Sequence, residues 1–248
     1  VVLSAVVMLL LVEAQEGNPL SVAFSEASKA GEFRANLLTG WLVVRAHEGK
    51  QVQVEFGESG GEAVRGEGVG GEEWKRVNPT GPGVTLREAD NVVTLSLSPQ
   101  LRSPRITVLV PAKTNLKLIS TGGKGVLVEG ITGDIEIRTG GAGVELVEVS
   151  GGVVARTLKG GVTAKFKEVN PAKELQFHSA HGRIDVTLPA ETKARLRMET
   201  RRGKVFTNFV MKTGVQPQGG VTEGEINGGG VNYGFVTGTG DIYIRKGI

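Results

Sequence analysis

From residue 121 onward the apolar positions recur every nine residues. Val126, Ile135, Val144, Val153 and Val162 form one series, and Val128, Ile137, Leu146, Ala155 and Ala164 follow two residues later. An apolar-x-apolar pair is the period-2 signature of a short strand with one face buried. Small or turn-forming residues precede each pair: Lys124-Gly125, Gly133-Asp134, Ala142-Gly143, Gly151-Gly152 and Gly160-Gly161. The units themselves pair. Residues 121–138, TGGKGVLVEGITGDIEIR, align with 139–156, TGGAGVELVEVSGGVVAR, and Thr157 opens a third copy, so the offset is 18 residues. Two strand-plus-turn units per copy predict an all-β chain, a single-stranded parallel β-helix or β-solenoid with flattened coils. Coils stacked at ~4.8 Å place equivalent residues in ladders. Thr121, Thr139 and Thr157 are expected in one ladder, Ile131 and Val149 in another. The alternative is a β-sandwich, since short strands with Gly turns also build antiparallel sheets.

A longer echo links 106–114, ITVLVPAKT, to 184–192, IDVTLPAET. Proline removes a ladder donor, so Pro111 and Pro189 are expected to end strands. The ending TGTGDIYIR at 237–245 restates TGDIEIR at 132–138, which carries the repeat to the C-terminus through looser stretches at 169–174 and 212–220. Before Pro99 the grammar changes. Residues 40–45 and 51–56 read as a hairpin around 48–50, and the Gly/Glu-rich 59–73 reads as an exposed loop. The expected organisation is a leader over 1–15, a linker over 16–36, a β capping region over 37–98 and the repeat domain over 99–248.

The leader rests on 1–12, VVLSAVVMLLLV, an apolar run short for a bilayer span. Val12 and Ala14 give a small-x-small pattern ahead of polar residues. It reads as the core and cleavage site of a secretory signal peptide whose first residues are missing; uncleaved, it would be a membrane anchor. A buried N-terminal strand or helix is the competing reading. Export to the periplasm, cell envelope or exterior follows. The chain has no cysteine, so stability there comes without disulfides.

Aromatics are 5% of the 248 residues while Gly counts 38, which suits a thin core of Val, Ile and Leu with many turns. The net charge of +3 comes from intermixed signs. A nucleic-acid binder concentrates its cations on one face or arm, and none is visible, so nucleic acid is not expected as a partner. Arg201, Arg202 and Lys204 form the densest basic cluster, at a turn. Arg138 and Arg156, 18 apart, are expected to stack on one face. These five are the candidate polyanion contacts, with an unidentified surface ligand, glycan or protein, as partner.

Other motifs point away from chemistry. Residues 122–130, GGKGVLVEG, resemble the calcium-binding nonapeptide of parallel β-rolls. Leu127 and Glu145, however, stand where that motif places its central Asp, and Asp134 and Asp241 fall elsewhere in their units. His178 and His181 have H-x-x-H spacing, but in a strand-turn-strand context with only His47 as a further imidazole. No metal, no cofactor and no catalytic residue is assigned. A β-helix carbohydrate-active enzyme using Arg183 and Asp185 is the enzymatic alternative, and an envelope component that docks another protein is a third.

Taken together, residues 40–56, 106–111, the Gly-Asp-Ile and Gly-Gly-Val turns, GRIDVTLP at 182–189 and GDIYI at 240–244 resemble the DUF4097 family. These are bacterial exported or envelope proteins classed as adhesins and related to head GIN domains. The resemblance runs from about Trp41 to the C-terminus. It implies a single-stranded β-helix-like fold, an exported binding role and no enzymatic activity. It rests on a repeat grammar, so it carries over no binding residues.

Overall fold

The computed structural model describes residues 10–13, 20–57, 84–98, 104–213 and 220–247. The described residues contain 22 strands and no helix. In the N-terminal part these are β1 (Leu10–Glu13), β2 (Leu20–Ala23), β3 (Glu32–Leu37), β4 (Trp41–His47), β5 (Gln51–Gly57), β6 (Val84–Ala89), β7 (Val92–Leu97) and β8 (Arg105–Pro111). The repeat supplies β9 (Asn115–Ser120), β10 (Gly125–Glu129), β11 (Ile135–Thr139), β12 (Gly143–Val149), β13 (Val153–Thr157), β14 (Val162–Phe166), β15 (Leu175–Ser179) and β16 (Ile184–Leu188). The chain ends with β17 (Ala194–Thr200), β18 (Val205–Thr207), β19 (Met211–Thr213), β20 (Val221–Ile226), β21 (Val231–Thr237) and β22 (Ile242–Lys246).

These strands form two open, mixed sheets of twelve and ten strands. From β9 to β18 the chain alternates between them, so each consecutive pair of strands makes one rung with a strand in each sheet. The two nine-residue series sort accordingly. Val126, Val144 and Val162 are register partners in the ten-stranded sheet, and Ile135 pairs Val153 in the twelve-stranded one. All neighbours within this region are parallel. The inward side chains of both sheets belong to one hydrophobic cluster. The interior is thin at Ile137 and Ala155, then fills with rings where Phe177 stacks on Phe235 at 5.6 Å and Phe166 meets Phe177 edge-on at 6.4 Å. Phe177 and its two ring neighbours thus fill the interior beside its register partner Ala155.

Spatial order departs from chain order at both ends. The rung β21–β22 lies between β15–β16 and β17–β18. Likewise β3–β4 lies between β7–β8 and β9–β10. Antiparallel strands appear outside these rungs: β1 on β6, β6 on β7, β2 on β5, β5 on β8, and β20 on both β17 and β19.

Three expectations change. The hairpin expected across 48–50 does not form, because β8 separates β4 from β5, parallel to the first and antiparallel to the second. Thr139 does pair Thr157, but its other neighbour is Ser120 rather than Thr121. The corner after β9 is one residue longer than the corner after β11, which shifts the ladder by one. Leu10–Glu13, inside the expected leader, forms the outermost strand of the twelve-stranded sheet; residues 1–9 and 14–19 lie outside the described residues, as do 58–83 with the expected loop. Pro111 and Pro189 close β8 and β16 as expected, each accepting a turn hydrogen bond from the N–H of Thr114 or Thr192. Ile131 and Val149 are both fully buried, with the Ser150 N–H on the Ile131 carbonyl.

Candidate functional site: a basic edge of the stack

Each rung has a corner where the chain leaves the twelve-stranded sheet and enters the ten-stranded one. A buried hydroxyl organises it. Ser179 accepts from the Gly182 N–H at 2.7 Å and donates to the Gly160 carbonyl of the neighbouring rung at 2.9 Å. Thr237 does the same with Gly240 and Gly182, and Thr200 with Gly203 and Gly240. The backbones approach so closely that a Cβ on Gly182 would lie 2.2 Å from the Gly160 carbonyl oxygen. Glycine is required there by contact, and the residues flanking it are left on the outside.

Those flanking residues are mostly cationic. The corners at 121–124, 140–142, 158–161, 180–183, 238–241 and 201–204 carry Lys124, Lys159, Arg183, Arg201, Arg202 and Lys204 against a single carboxylate, Asp241. The opposite corners at 112–114, 130–134, 150–152, 167–174 and 189–193 are balanced, with Lys113, Lys167, Lys173 and Lys193 against Asp134, Glu168, Glu174 and Glu191. One of these pairs is closed, Lys173 to Asp134 at 2.7 Å. On the basic edge all six cations are exposed. Among the described residues Lys124, Lys159, Arg201, Arg202 and Lys204 make no ion pair. Arg183 reaches Asp185 only at 4.0 Å. Asp241 is occupied, since its Oδ1 accepts the Lys204 backbone N–H at 2.8 Å. From Lys124 to Lys204 the edge crosses five rung spacings, ~24 Å.

Of the five residues expected from sequence, Arg201, Arg202 and Lys204 stand at the far end of this edge. Arg138 and Arg156 are register partners, as expected, on the adjoining outer face of the twelve-stranded sheet. Arg138 is tied to Glu136 at 2.7 Å, whereas Arg156 has no ion pair among the described residues and neighbours His178. The two groups do not form one cluster. Lys124, Lys159 and Arg183 were missed by a reading of local charge density, because each stands alone in sequence; their signal was only that each falls beside a glycine at a corner of the repeat, at a different place in each.

The outer face next to the edge holds a ring and guanidinium cluster. Tyr243 stacks on Phe206 at 4.7 Å, with Arg183 and Arg245 5.5 and 5.0 Å from its ring centre. Arg245 donates to both Asp185 oxygens, at 2.6 and 2.9 Å, which pushes the guanidinium pKa up. The carboxylate of the enzymatic alternative is thus engaged by Arg245. His178 lies on the outer face of β15 and His181 in the following corner. No group of three or more His, Asp or Glu among the described residues is placed to hold a metal ion.

No family model matches the chain, and no curated protein does. Two solved structures are similar to it. A candidate cell adhesion protein from Clostridium sporogenes ATCC 15579 superposes with a TM-score of 0.51 at 14% identity, over 93% of this chain and 100% of that one. A candidate adhesin from Bacteroides fragilis NCTC 9343 gives a TM-score of 0.33 at 12% identity, over 96% and 97% of the two chains. At this identity the first likeness is one of fold.

Proposed function

We propose that this chain is an exported, non-catalytic binding module of the adhesin type, a β-solenoid of DUF4097 character that attaches through its basic edge to an anionic surface polymer. The alternation of strands between two sheets and the parallel neighbours one rung apart favour a solenoid over a sandwich. The apolar N-terminal segment and the fold shared with a candidate cell adhesion protein support export. Cleavage of the leader would remove β1 and leave β6 at the end of its sheet.

The observation that carries the reading is the one-sided distribution of charge. A solubilising surface spreads its cations, as the opposite corners do. Here six cations stand at four of the six corners along one edge, and five of them have no ion-pair partner among the described residues, which suits many weak contacts to a linear polyanion. Retention on an immobilised sulfated polysaccharide tests it. The protein should be held at low ionic strength and released as salt screens the edge. Arg201→Glu with Arg202→Glu should elute much earlier, and failure of the parent protein to bind at low salt would remove the proposal.

A further inference from the structure

The ten-stranded sheet carries a row of residues just inside the basic edge, where its strands begin. Register and rung-to-rung hydrogen bonds set the order as Trp41, Gly125, Gly143, Gly161, Arg183, Asp241 and Lys204. Three consecutive glycines, Gly125 buried and Gly143 and Gly161 part-exposed, carry no side chain between an indole at one end and Arg183 at the other. The result is a trough of about 390 Å³ on the outer face, walled by Trp41, Lys124, Leu127, Glu145 and Thr163. Arg105 lies 4.4 Å from the Trp41 ring centre and fixes the indole.

Folding does not account for all three glycines. Gly125 has a φ of 147°, and a Cβ on Gly161 would crowd the Arg183 carbonyl oxygen at 3.0 Å. Gly143 has neither constraint. Its φ is not positive, and an added Cβ would meet only the Gly161 carbonyl oxygen, at 3.4 Å, an ordinary contact. A glycine inside a strand weakens it and often marks a place where something else approaches the backbone closely.

We propose that this trough binds an acidic polysaccharide, a chain of uronate-type pyranoses lying along the stack. The inference rests on the basic-edge reading and gives its ligand a class. The C–H face of a pyranose stacks on the indole, and the glycine floor admits the rings that follow. Carboxylates then meet Lys124 in the trough and Arg183 just beyond it. Glu145 and Thr163 face the ring hydroxyls, where the Glu145 carboxylate accepts hydrogen bonds. A polyanion without hydroxyl donors, such as polyphosphate, offers Glu145 only repulsion, so the trough selects sugar rather than charge alone.

Calorimetric titration of the full chain with a short oligogalacturonate and with polyphosphate of matched charge tests this. The oligogalacturonate should bind about tenfold tighter or better. Gly143→Val fills the trough and should lower oligogalacturonate affinity by about tenfold while leaving polyphosphate affinity unchanged. Glu145→Ala, on an exposed side chain and neutral for folding, should weaken the oligogalacturonate and leave polyphosphate equal or tighter. Equal affinity for the two ligands, or a folded Gly143→Val protein that binds the oligogalacturonate like its parent, overturns the trough and leaves the basic edge standing. Binding of neither ligand at low salt overturns both.

Discussion

The hydroxyl of Thr200 donates to the carbonyl of Gly240 at 2.9 Å, joining residues forty positions apart in sequence and adjacent in the stack. Thr237 does the same one rung earlier, donating to the Gly182 carbonyl at 2.8 Å while accepting the Gly240 N–H at 3.2 Å. Thr237 is 1% exposed, so water cannot replace these bonds. Thr237→Val keeps the shape and strands a buried donor and acceptor, for a cost of about 1–3 kcal/mol. Thr237→Ser retains the hydroxyl and should stay much closer to the parent. Urea unfolding midpoints at unchanged slope measure the difference.

The insertion of β21–β22 between two earlier rungs constrains the order of folding. Among the described residues β18 pairs only with β22, and β17 pairs only with β21 and β20. Residues 194–207 cannot be seated natively until 231–246 has docked on β15–β16. Pulse-labelled hydrogen exchange during refolding should therefore show amides of 205–207, whose strand pairs with β22, gaining protection no earlier than those of 231–246, whereas β17 can also be protected by β20. Earlier protection of 205–207 would mean that this rung first docks elsewhere and is later displaced.

This insertion is also what the sequence conceals. The nine-residue period reveals strands, faces and parallel neighbours from β10 to β14, because each apolar pair commits its strand to one inward face. The rung Leu196-x-Met198 and the rung Tyr233-x-Phe235 fit the same pattern equally well. Local grammar says that both are rungs and is silent on which stands next to Leu175. The β4–β5 hairpin failed for the same reason, since β8 enters from a distant part of the chain. The candidate site was half legible: Arg201, Arg202 and Lys204 are dense in sequence, while Lys124, Lys159 and Arg183 gather only through register.

Thr114 and Thr192 occupy equivalent turns after Pro111 and Pro189, and both hydroxyls are buried with no hydrogen-bond partner among the described residues. A buried polar group without a partner destabilises the fold, and an isosteric apolar replacement relieves it. Thr192→Val should stabilise the protein by about 1 kcal/mol, read as a raised unfolding midpoint. Unlike Thr237→Val, the same exchange here removes a liability. A lowered midpoint would show that the hydroxyl is satisfied in solution.

Tyr233 sets an alkaline limit on the fold. Its side chain is 1% exposed, and burial pushes the phenol pKa above its ordinary value near 10. Above about pH 10 the unfolded chain releases this proton while the native state retains it, so the native state binds more protons and stability falls as pH rises. Below that value the contribution is fully present. Tyr233→Phe keeps the ring beside Leu175 and Leu196, its register partners, and removes the titration. The parent should therefore lose more stability than the variant between about pH 9 and 11, measured as the change in unfolding midpoint of each protein. Parallel losses in the two proteins would show that Tyr233 ionises as easily folded as unfolded.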